Sequence, residues 1–488
     1  MNWIDNIISF VSPEWGARRT AWRMYEENIR NYDAAGYANG SANWRVMNES
    51  AEMTDKYSRE TIRARTRDLE RNSDILNSVI GAYKRNVFGG GFSIRAKTGD
   101  ENIDNTLKKT WKKWCKKQNC DVTGTQSFNQ MMRMCVQRKK VDGGIIILKR
   151  YTEQGFIPFQ LQLIEVDELD NTQIKAHKPG NRVVGGIEYN RWNKPEGYWF
   201  RQYDIDGSLP MESAYVEAKD VIFYFTKRRP SQIREMSDMC QTLTRIRDVN
   251  EFMTAVSVKE RITACLAVFI KKITPSNGIG RGNKTNERKN SYEGKTIAPG
   301  MIRELEPGDG IDVVNPTGQG TDATNYVKLM QHIIGAGQGL SYEATSRDMK
   351  ETNYASARQG MIEDGLTYEE EKELLLEVMD EIYETFVISC VLAGIIKAKD
   401  FWADKEKYMN HVWTAAPKKW IDPAKEATAN KIALNTGQKT YQQIAAENGR
   451  DWKEQLDEMI EVIKYAQDEG VDIGGMIFGT KINENSTT

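Results

Sequence analysis

A stripe of apolar side chains runs through residues 233–262 at spacings of three and four, and it predicts one long helix there. At about 1.5 Å per residue, thirty residues would extend roughly 45 Å, more than an average globular helix. A helix with one apolar and one charged face is typical of a strut that packs against other helices, of its own subunit or of neighbouring ones. The stripe consists of Ile233, Met236, Met239, Cys240, Leu243, Ile246, Val249, Phe252, Met253 and Val256.

The pattern around this helix predicts an α+β protein that is mainly helical. The chain has 488 residues, which at roughly 150 residues per domain suggests about three domains. Helical periodicity covers residues 58–88, 103–140, 323–334 and 356–393, and most of the C-terminal part. Between about 143 and 225 the period changes to two and predicts short strands with turns between them.

The composition excludes some classes of function. Lys and Arg (68) nearly balance Asp and Glu (69), so the net charge of −1 excludes a uniformly basic protein that coats nucleic acid. The longest apolar run, residues 386–396, is shorter than the roughly 18 residues that a membrane span needs. Six cysteines in so long a chain do not indicate a disulfide framework, and the first residues do not resemble a secretion signal.

The motifs for catalysis are incomplete. Residues 278–285 resemble a phosphate-binding loop, but Asn283 stands where a glycine should precede Lys284, which favours a flexible basic loop. Three distant histidines argue against a His-based metal or catalytic centre. The carboxylates of Glu165, Asp167, Glu168 and Asp170 could hold a divalent ion or simply form a loop at a strand end. The sequence therefore predicts no catalytic residues, no metal and no cofactor.

An arginine-rich stretch lies in the first predicted helix. Acidic residues alternate with these arginines, a mixture more typical of a solvated face with internal ion pairs than of a track for phosphates. The stretch contains Arg63, Arg65, Arg67 and Arg71. Upstream of it, residues 1–57 are polar with scattered tryptophans and predict a partly ordered arm whose aromatics pack on a neighbour or stack on nucleic-acid bases.

Several short strings, in order between residues 60 and 455, resemble the lambda-type family of tailed-bacteriophage portal proteins. They are Arg63–Asn72 with Asn86–Gly91; Trp111, Trp114, Asp121, Gly124 and Asp142–Gly143; Leu161–Glu165 with Asp167; Arg228–Arg234; Gly339–Glu343, Arg347–Asp348 and Asn353–Arg358; and Trp420–Pro423, Lys425–Glu426 and Gly449–Asp451. Gly90 and the loop at 276–296 depart from the family pattern.

The resemblance implies a portal-type subunit with an α/β wing, a helical stem, a small α/β clip and a helical C-terminal crown. It predicts these boundaries: 1–57 N-terminal arm, 58–232 wing, 233–265 stem helix, 266–322 clip, 323–338 second stem helix, 339–353 tunnel loop, 354–410 long wing helix and 411–488 crown.

The resemblance also implies partners and a location. Identical subunits, usually twelve, would form a ring at a capsid vertex of the virion, with double-stranded DNA passing through the central channel. The clip would contact the large subunit of the terminase during packaging and neck or adaptor proteins afterwards. The major capsid protein would surround the ring, which would be assembled in the host bacterial cytoplasm without contacting a membrane.

Two sets of basic residues are candidates for contact with DNA. Arg347, Lys350 and Asn353 would belong to a tunnel loop that faces DNA. Arg347 and Lys350 would approach its phosphates, while Asp348 and Glu351 would limit how tightly they hold. Local Arg347–Asp348 or Lys350–Glu351 ion pairs are the alternative. A second set would line the clip, meet an acidic partner or belong to a plain solvated loop. It consists of Lys271, Lys272, Arg281, Lys284, Arg288 and Lys289.

Two other classes of function compete with the conduit. A packaging-associated nuclease would need clustered carboxylates with a bound metal or a complete phosphate loop. A capsid scaffold or adaptor without a channel would form no closed ring with an open axis.

Overall fold

The structure is a computed structural model. It describes residue 10 and residues 12–30, 48–153, 155–208, 212–264, 268–272, 309–313, 323–350, 353–417 and 422–471. The chain divides into two units, residues 1–54 and residues 55–488. The first unit contains α1 (Pro13–Arg30), in which Arg18 pairs with Glu14 one turn earlier. The short helix α2 (Ala51–Asp55) crosses the boundary.

Helices supply most of the described regular structure of the second unit, so the predicted fold class is confirmed. They are α3 (Arg59–Asn72), α4 (Asp74–Tyr83), α5 (Glu101–Trp114), α6 (Lys117–Cys120), α7 (Phe128–Asp142), α8 (Leu243–Ala264), α9 (Ala323–Gly337), α10 (Tyr342–Ser346), α11 (Tyr354–Leu392), α12 (Lys405–Met409), α13 (Pro423–Asn435), α14 (Tyr441–Glu447) and α15 (Trp452–Asp468).

The strands that the structure describes form four small antiparallel sheets. The sheet orders are β1-β11, β3-β2-β8, β4-β5-β6-β7 and β9-β10. The strands are β1 (Phe92–Ala96), β2 (Gly144–Arg150), β3 (Gln160–Ile164), β4 (Arg182–Val184), β5 (Ile187–Tyr189), β6 (Pro195–Phe200), β7 (Ala214–Glu217), β8 (Val221–Phe225), β9 (Val268–Lys272), β10 (Asp309–Val313) and β11 (His411–Ala415).

Strand β2 separates two hydrophobic cores. Side chains of a strand alternate between its faces, and Ile145 and Ile147 belong to the large core shared with the helices. Ile146 and Leu148 face the second core, which the β4–β7 sheet completes. Because β2 is buried on both faces, its sequence is continuously apolar rather than alternating.

Tryptophans of α5 anchor the large core. The rings of Trp111 and Trp114 stack 5.0 Å apart, which confirms that they share one helix face. Trp114 also stacks on Phe159 and donates a hydrogen bond from Nε1 to the Phe159 carbonyl at 2.8 Å. Trp111 meets the edge of Phe386 on α11, at a centroid distance of 5.0 Å. These aromatic contacts hold α11 against α5.

The long helix predicted at 233–262 begins only at Leu243. The preceding segment is not helical because its side chains diverge to distant partners. Arg234 donates to the carbonyls of Gly185 (2.6 Å) and Val166 (3.1 Å), while Glu235 accepts from Arg63 at 2.9 Å. Helical geometry would turn successive side chains by about 100° and separate these contacts.

The helix predicted at 58–88 is divided in two. Ser73 ends α3 and caps α4, its side chain accepting from the Leu76 amide at 3.4 Å. One π-helical turn (Lys84–Phe88) follows α4. The helical structure ends at Gly89, whose φ of 53° suits glycine.

The arginine stretch of α3 is solvated on one side only. Arg65 and Arg71 are exposed, and Arg71 lies 3.9 Å from Asp68 one turn earlier. Arg63 is 4% exposed and pairs with Asp167 and Glu235, both at 2.9 Å. Arg67 reaches Asp142 at 2.6 Å, and although burial alone would lower its pKa, Asp142 raises it. The prediction of ion pairs was right, but those of Arg63 and Arg67 use carboxylates from distant segments, so that side of the helix faces inward.

Strand β11 connects the C-terminal part of the chain to strand β1. β11 pairs antiparallel with β1, with Ile94 opposite Trp413. Asp380 of α11 accepts a hydrogen bond from Trp413 Nε1 at 2.6 Å and lies 2.9 Å from His411 Nε2. None of the helices that the structure describes combines the length and the apolarity of a membrane span.

Candidate functional site

The loop between α9 and α11 has a firmly held base. Gly339 (φ 66°) turns the chain after α9, and its carbonyl accepts from Thr367 of α11 at 2.7 Å. Ser341 then caps α10, while the Asp364 carboxylate accepts from the Ser341 amide (2.6 Å) and hydroxyl (2.7 Å). These hydrogen bonds fix the first residues of the loop against α11.

The start of the same loop also forms hydrogen bonds with α4 and with the segment before α8. Tyr83 donates from its hydroxyl to the Gln338 carbonyl at 2.5 Å, and the Gln338 side-chain amide reaches Thr242 Oγ1 at 3.2 Å. Burial raises the pKa of the Tyr83 hydroxyl, with Glu371 and Asp238 adding to the effect, so the hydroxyl remains a donor. Helix α10 also packs directly on α4.

The tip of the loop exposes its charged side chains. Arg347, Asp348, Met349 and Lys350 are all exposed. Arg347 ends α10 in the left-handed conformation (φ 59°), which is costly for a residue other than glycine. Within the described ranges, neither Arg347 nor Lys350 forms an ion pair with a carboxylate. The described residues therefore contain no local Arg347–Asp348 pair, whereas Glu351, the partner of Lys350 in the other alternative pair, lies outside the described residues.

Asn353, the third residue predicted to face DNA, lies at the start of α11. Its side-chain oxygen accepts from the Ser356 amide at 2.9 Å and caps α11. This is the ordinary role of asparagine at a helix N-terminus, where the first amides have no partner within the helix. The residue is exposed, but its acceptor is committed to the helix.

A third cation belongs to this surface and was missed from the sequence. Arg85 lies exposed in the π-helical turn after α4, and burial followed by repulsion from Arg347 lowers its pKa. The two guanidinium groups therefore lie within electrostatic reach of each other. No local pattern could indicate this, since the residues are brought together only by the packing of α10 on α4. We call Arg85, Arg347 and Lys350 the loop cations.

The predicted clip residues are only partly described. Lys271 and Lys272 end β9, where they stand opposite Gly310 and Asp309 of β10. Arg281, Lys284, Arg288 and Lys289 lie outside the described residues, as does the near phosphate loop. The role predicted for this set stays a prediction.

The candidate metal carboxylates are held by cations and amides. Asp167 pairs with Arg63 and Arg67, and Asp170 pairs with Arg201 at 3.2 Å. Glu168 accepts from the Tyr203 amide at 3.2 Å, and burial raises its pKa. These carboxylates lie in the turn that follows β3. That arrangement corresponds to the second alternative, a loop at the end of a strand. Among the described residues no set of three metal-ligating side chains converges.

Comparison with known proteins places the chain in a family. The model of the phage portal proteins, lambda family, matches residues 38–372, so the chain belongs to that family and the resemblance is confirmed. It is 25% identical over 406 residues to the probable portal protein of Halomonas phage phiHAP-1, covering 80% of this chain and 78% of that one. It is 19% identical over 480 residues to portal protein B of Escherichia phage lambda, covering 88% and 89%.

Solved structures give a weaker likeness. The neck of an empty gene transfer agent particle matches with a TM-score of 0.45 and 11% identity, covering 79% of this chain and 93% of that chain. A native particle's neck, computed with C12 symmetry, matches with a TM-score of 0.42 and 12% identity.

Proposed function

We propose that this chain is the subunit of a homo-oligomeric ring, a dodecamer, at one capsid vertex of a bacteriophage. The ring encircles double-stranded DNA during packaging and ejection. The chain itself performs no catalysis and needs no cofactor. Membership of the portal family supports the proposal at its coarse level, and one feature of the fold supports self-association.

That feature is a set of apolar side chains that the described part of the subunit leaves exposed. Residues 251–261 of α8 include none that is buried, and the start of α11 is exposed as well. Several exposed apolar side chains lie on α8, α9, the loop tip and early α11, as expected of a surface that other chains cover. They are Met253, Val258, Leu329, Ile333, Met349, Met361, Ile362 and Leu366.

The loop cations would face the DNA. A conduit must not grip its cargo, because each phosphate that is neutralised releases counterions and strengthens binding. A chain with a net charge of −1 and a few exposed cations per subunit suits sliding better than a uniformly basic lumen. The left-handed Arg347 supports this role, since glycine would adopt that backbone at less cost.

The remaining partners follow from the proposed division of the chain. Residues 58–232 and 354–410 would form the wing towards the major capsid protein, 233–265 and 323–338 the stem, and 411–488 the crown. Residues 266–322 would form the clip, which docks the terminase large subunit and later the neck or adaptor proteins. Assembly would take place in the bacterial cytoplasm.

Imaging and native mass measurement of the purified full-length protein test this proposal. We expect closed annuli with an open axis and the mass of about twelve subunits. Replacing Ile362 and Leu366 by Asp should shift the mass to small species, because charges would be buried at the contact between copies. Circular dichroism should remain unchanged.

The control for this pair is Ile432→Asp, which alters an equally exposed isoleucine on α13. We expect it to leave the annuli intact. A monomer, a filament, or hydrolysis of DNA or nucleotide by the wild-type protein alone would contradict the conduit.

A further inference from the structure

The outer strand of the four-stranded sheet carries an unusual surface. β4 is the end strand of the order β4-β5-β6-β7 and pairs only with β5 in that sheet. No described strand pairs with the other side of its backbone, which can therefore accept another extended chain. Arg182 and Val184, its first and last residues, are both exposed.

Exposed cations outnumber carboxylates in the chain segment that contains this strand. The exposed cations of residues 171–197 are Lys175, Lys178, Arg182, Arg191 and Lys194. Of the two carboxylates in that stretch, Glu188 is fully buried, and Glu196 pairs with Lys178 at 3.3 Å. We call these five cations the basic edge. In a chain with a net charge of −1, this is a local excess of positive charge.

The basic edge is held in place by hydrogen bonds. The Glu188 carboxylate accepts from the amides of His177 (2.6 Å) and Lys178 (3.0 Å) and from Asn181 (2.9 Å). Arg182 donates to Asn193 in the turn between β5 and β6. The loop before β4 and the turn after β5 are thus joined into one preformed surface, which lowers the entropic cost of binding.

Large apolar side chains stand among these cations. Trp192 is 75% exposed with the Arg191 guanidinium over its ring, and Ile174 is 84% exposed. Charged residues alone would be explained as protection of an open strand against aggregation. An exposed tryptophan and isoleucine work against such protection and are typical of binding surfaces.

We propose that the basic edge binds an acidic, extended polypeptide segment of another protein, which adds a strand beside β4. Carboxylates of the segment would meet the five cations, and its apolar side chains would contact Trp192 and Ile174. Duplex DNA is the less favoured ligand because phosphates would leave the apolar side chains uncovered. The proposal does not depend on ring formation.

Fluorescence anisotropy with the full-length protein tests it. The probe is a labelled peptide of alternating Glu and Val, and the comparison probes are its Lys–Val counterpart and a short DNA duplex. We expect the Glu–Val peptide alone to bind saturably, and more weakly as salt rises. Arg182→Glu with Arg191→Glu should weaken binding about tenfold or more, since opposed like charges disfavour association. Trp192→Ala should weaken it severalfold.

Lys397→Glu with Lys399→Glu is the matched control, because it reverses two exposed lysines elsewhere. It should leave the affinity unchanged. The proposal is overturned if the Glu–Val peptide does not bind, if the control variant weakens binding as much, or if DNA binds more tightly and loses binding in the Arg182/Arg191 variant. Unchanged circular dichroism of each variant excludes misfolding.

Discussion

Glu235 shows how much of this fold depends on single buried charges. Its carboxylate is fully buried between Arg63 at 2.9 Å and Arg234 at 2.7 Å. Burial by itself raises the pKa of Glu235, but Arg234, Arg63 and Arg59 together hold that pKa below its usual range. The ion pairs join α3 to the segment before α8. Removing the charge of Glu235 takes a buried carboxylate away from Arg234 and Arg63, of which Arg63 keeps Asp167.

We therefore expect Glu235→Gln to lower the free energy of unfolding at neutral pH by about 3–5 kcal/mol. Because the folded pKa is depressed, the contribution of Glu235 is present above the ordinary glutamate pKa. It is lost as the pH falls through the folded pKa. The difference between variant and wild type should thus shrink on acidification. Urea unfolding at a series of pH values, at one protein concentration, measures it.

The matched control is Glu373→Gln, which neutralises an exposed glutamate on α11. It should change the free energy of unfolding by less than about 0.5 kcal/mol. Equal effects of the two substitutions, or a Glu235→Gln difference that grows towards low pH, would refute the role of the buried pairs.

Helix α11 illustrates the element scale. It runs without interruption from Tyr354 to Leu392 although it contains Gly360 and Gly365. A Cβ added to Gly365 would meet nothing within 4 Å, and its φ is not positive. At Gly143 the φ is 90° and an added Cβ would lie 2.3 Å from the Met236 carbonyl carbon. Glycine is therefore required by the backbone at the second position and not at the first.

Gly365→Ala should accordingly raise the free energy of unfolding by about 0.5–1 kcal/mol, because alanine loses less backbone entropy in a helix. Gly143→Ala should lower it by more than that, or prevent folding. Denaturant unfolding of both variants checks the two directions. A destabilising Gly365→Ala would mean that another chain approaches this part of α11, which a repeat with the Ile362/Leu366 Asp variant would identify.

At the scale of the whole molecule, the loop cations are assembled from segments that lie far apart in the sequence. Arg85 follows α4 and Arg347 ends α10, and Tyr83 and Thr367 bond the base of the loop from opposite sides. A ring of such subunits would present the same cations repeatedly to the passing duplex. The strength of that contact would then depend on subunit number as well as on each side chain.

Arg347→Glu together with Lys350→Glu should shorten the DNA packaged into particles assembled with the variant subunit, because acidic side chains repel the phosphates. Lys397→Glu with Lys399→Glu serves as the charge-matched control and should package the full length. Gel sizing of DNA extracted from purified particles measures the effect. Full-length DNA in the Arg347/Lys350 variant would remove the loop from the DNA path.

Local patterns in the sequence determined a large part of the fold. The end of the first helices at Gly89, the shared face of Trp111 and Trp114, and the helix from 354 to 392 follow from spacing and from glycine geometry, which are properties of neighbouring residues. The short strings that resemble the portal family are likewise made of neighbouring residues, and they determined the class of protein.

Only the tertiary structure decided where the charges lie. Arg63 and Arg67 of α3 look solvated by composition, yet they face carboxylates far along the chain, and the Arg63 pairing holds the segment that precedes the start of α8 at Leu243. Arg85 joined the loop cations through the packing of helices that are far apart in the sequence. Electrostatic partners are set by distances in space, which periodicity along a chain does not contain.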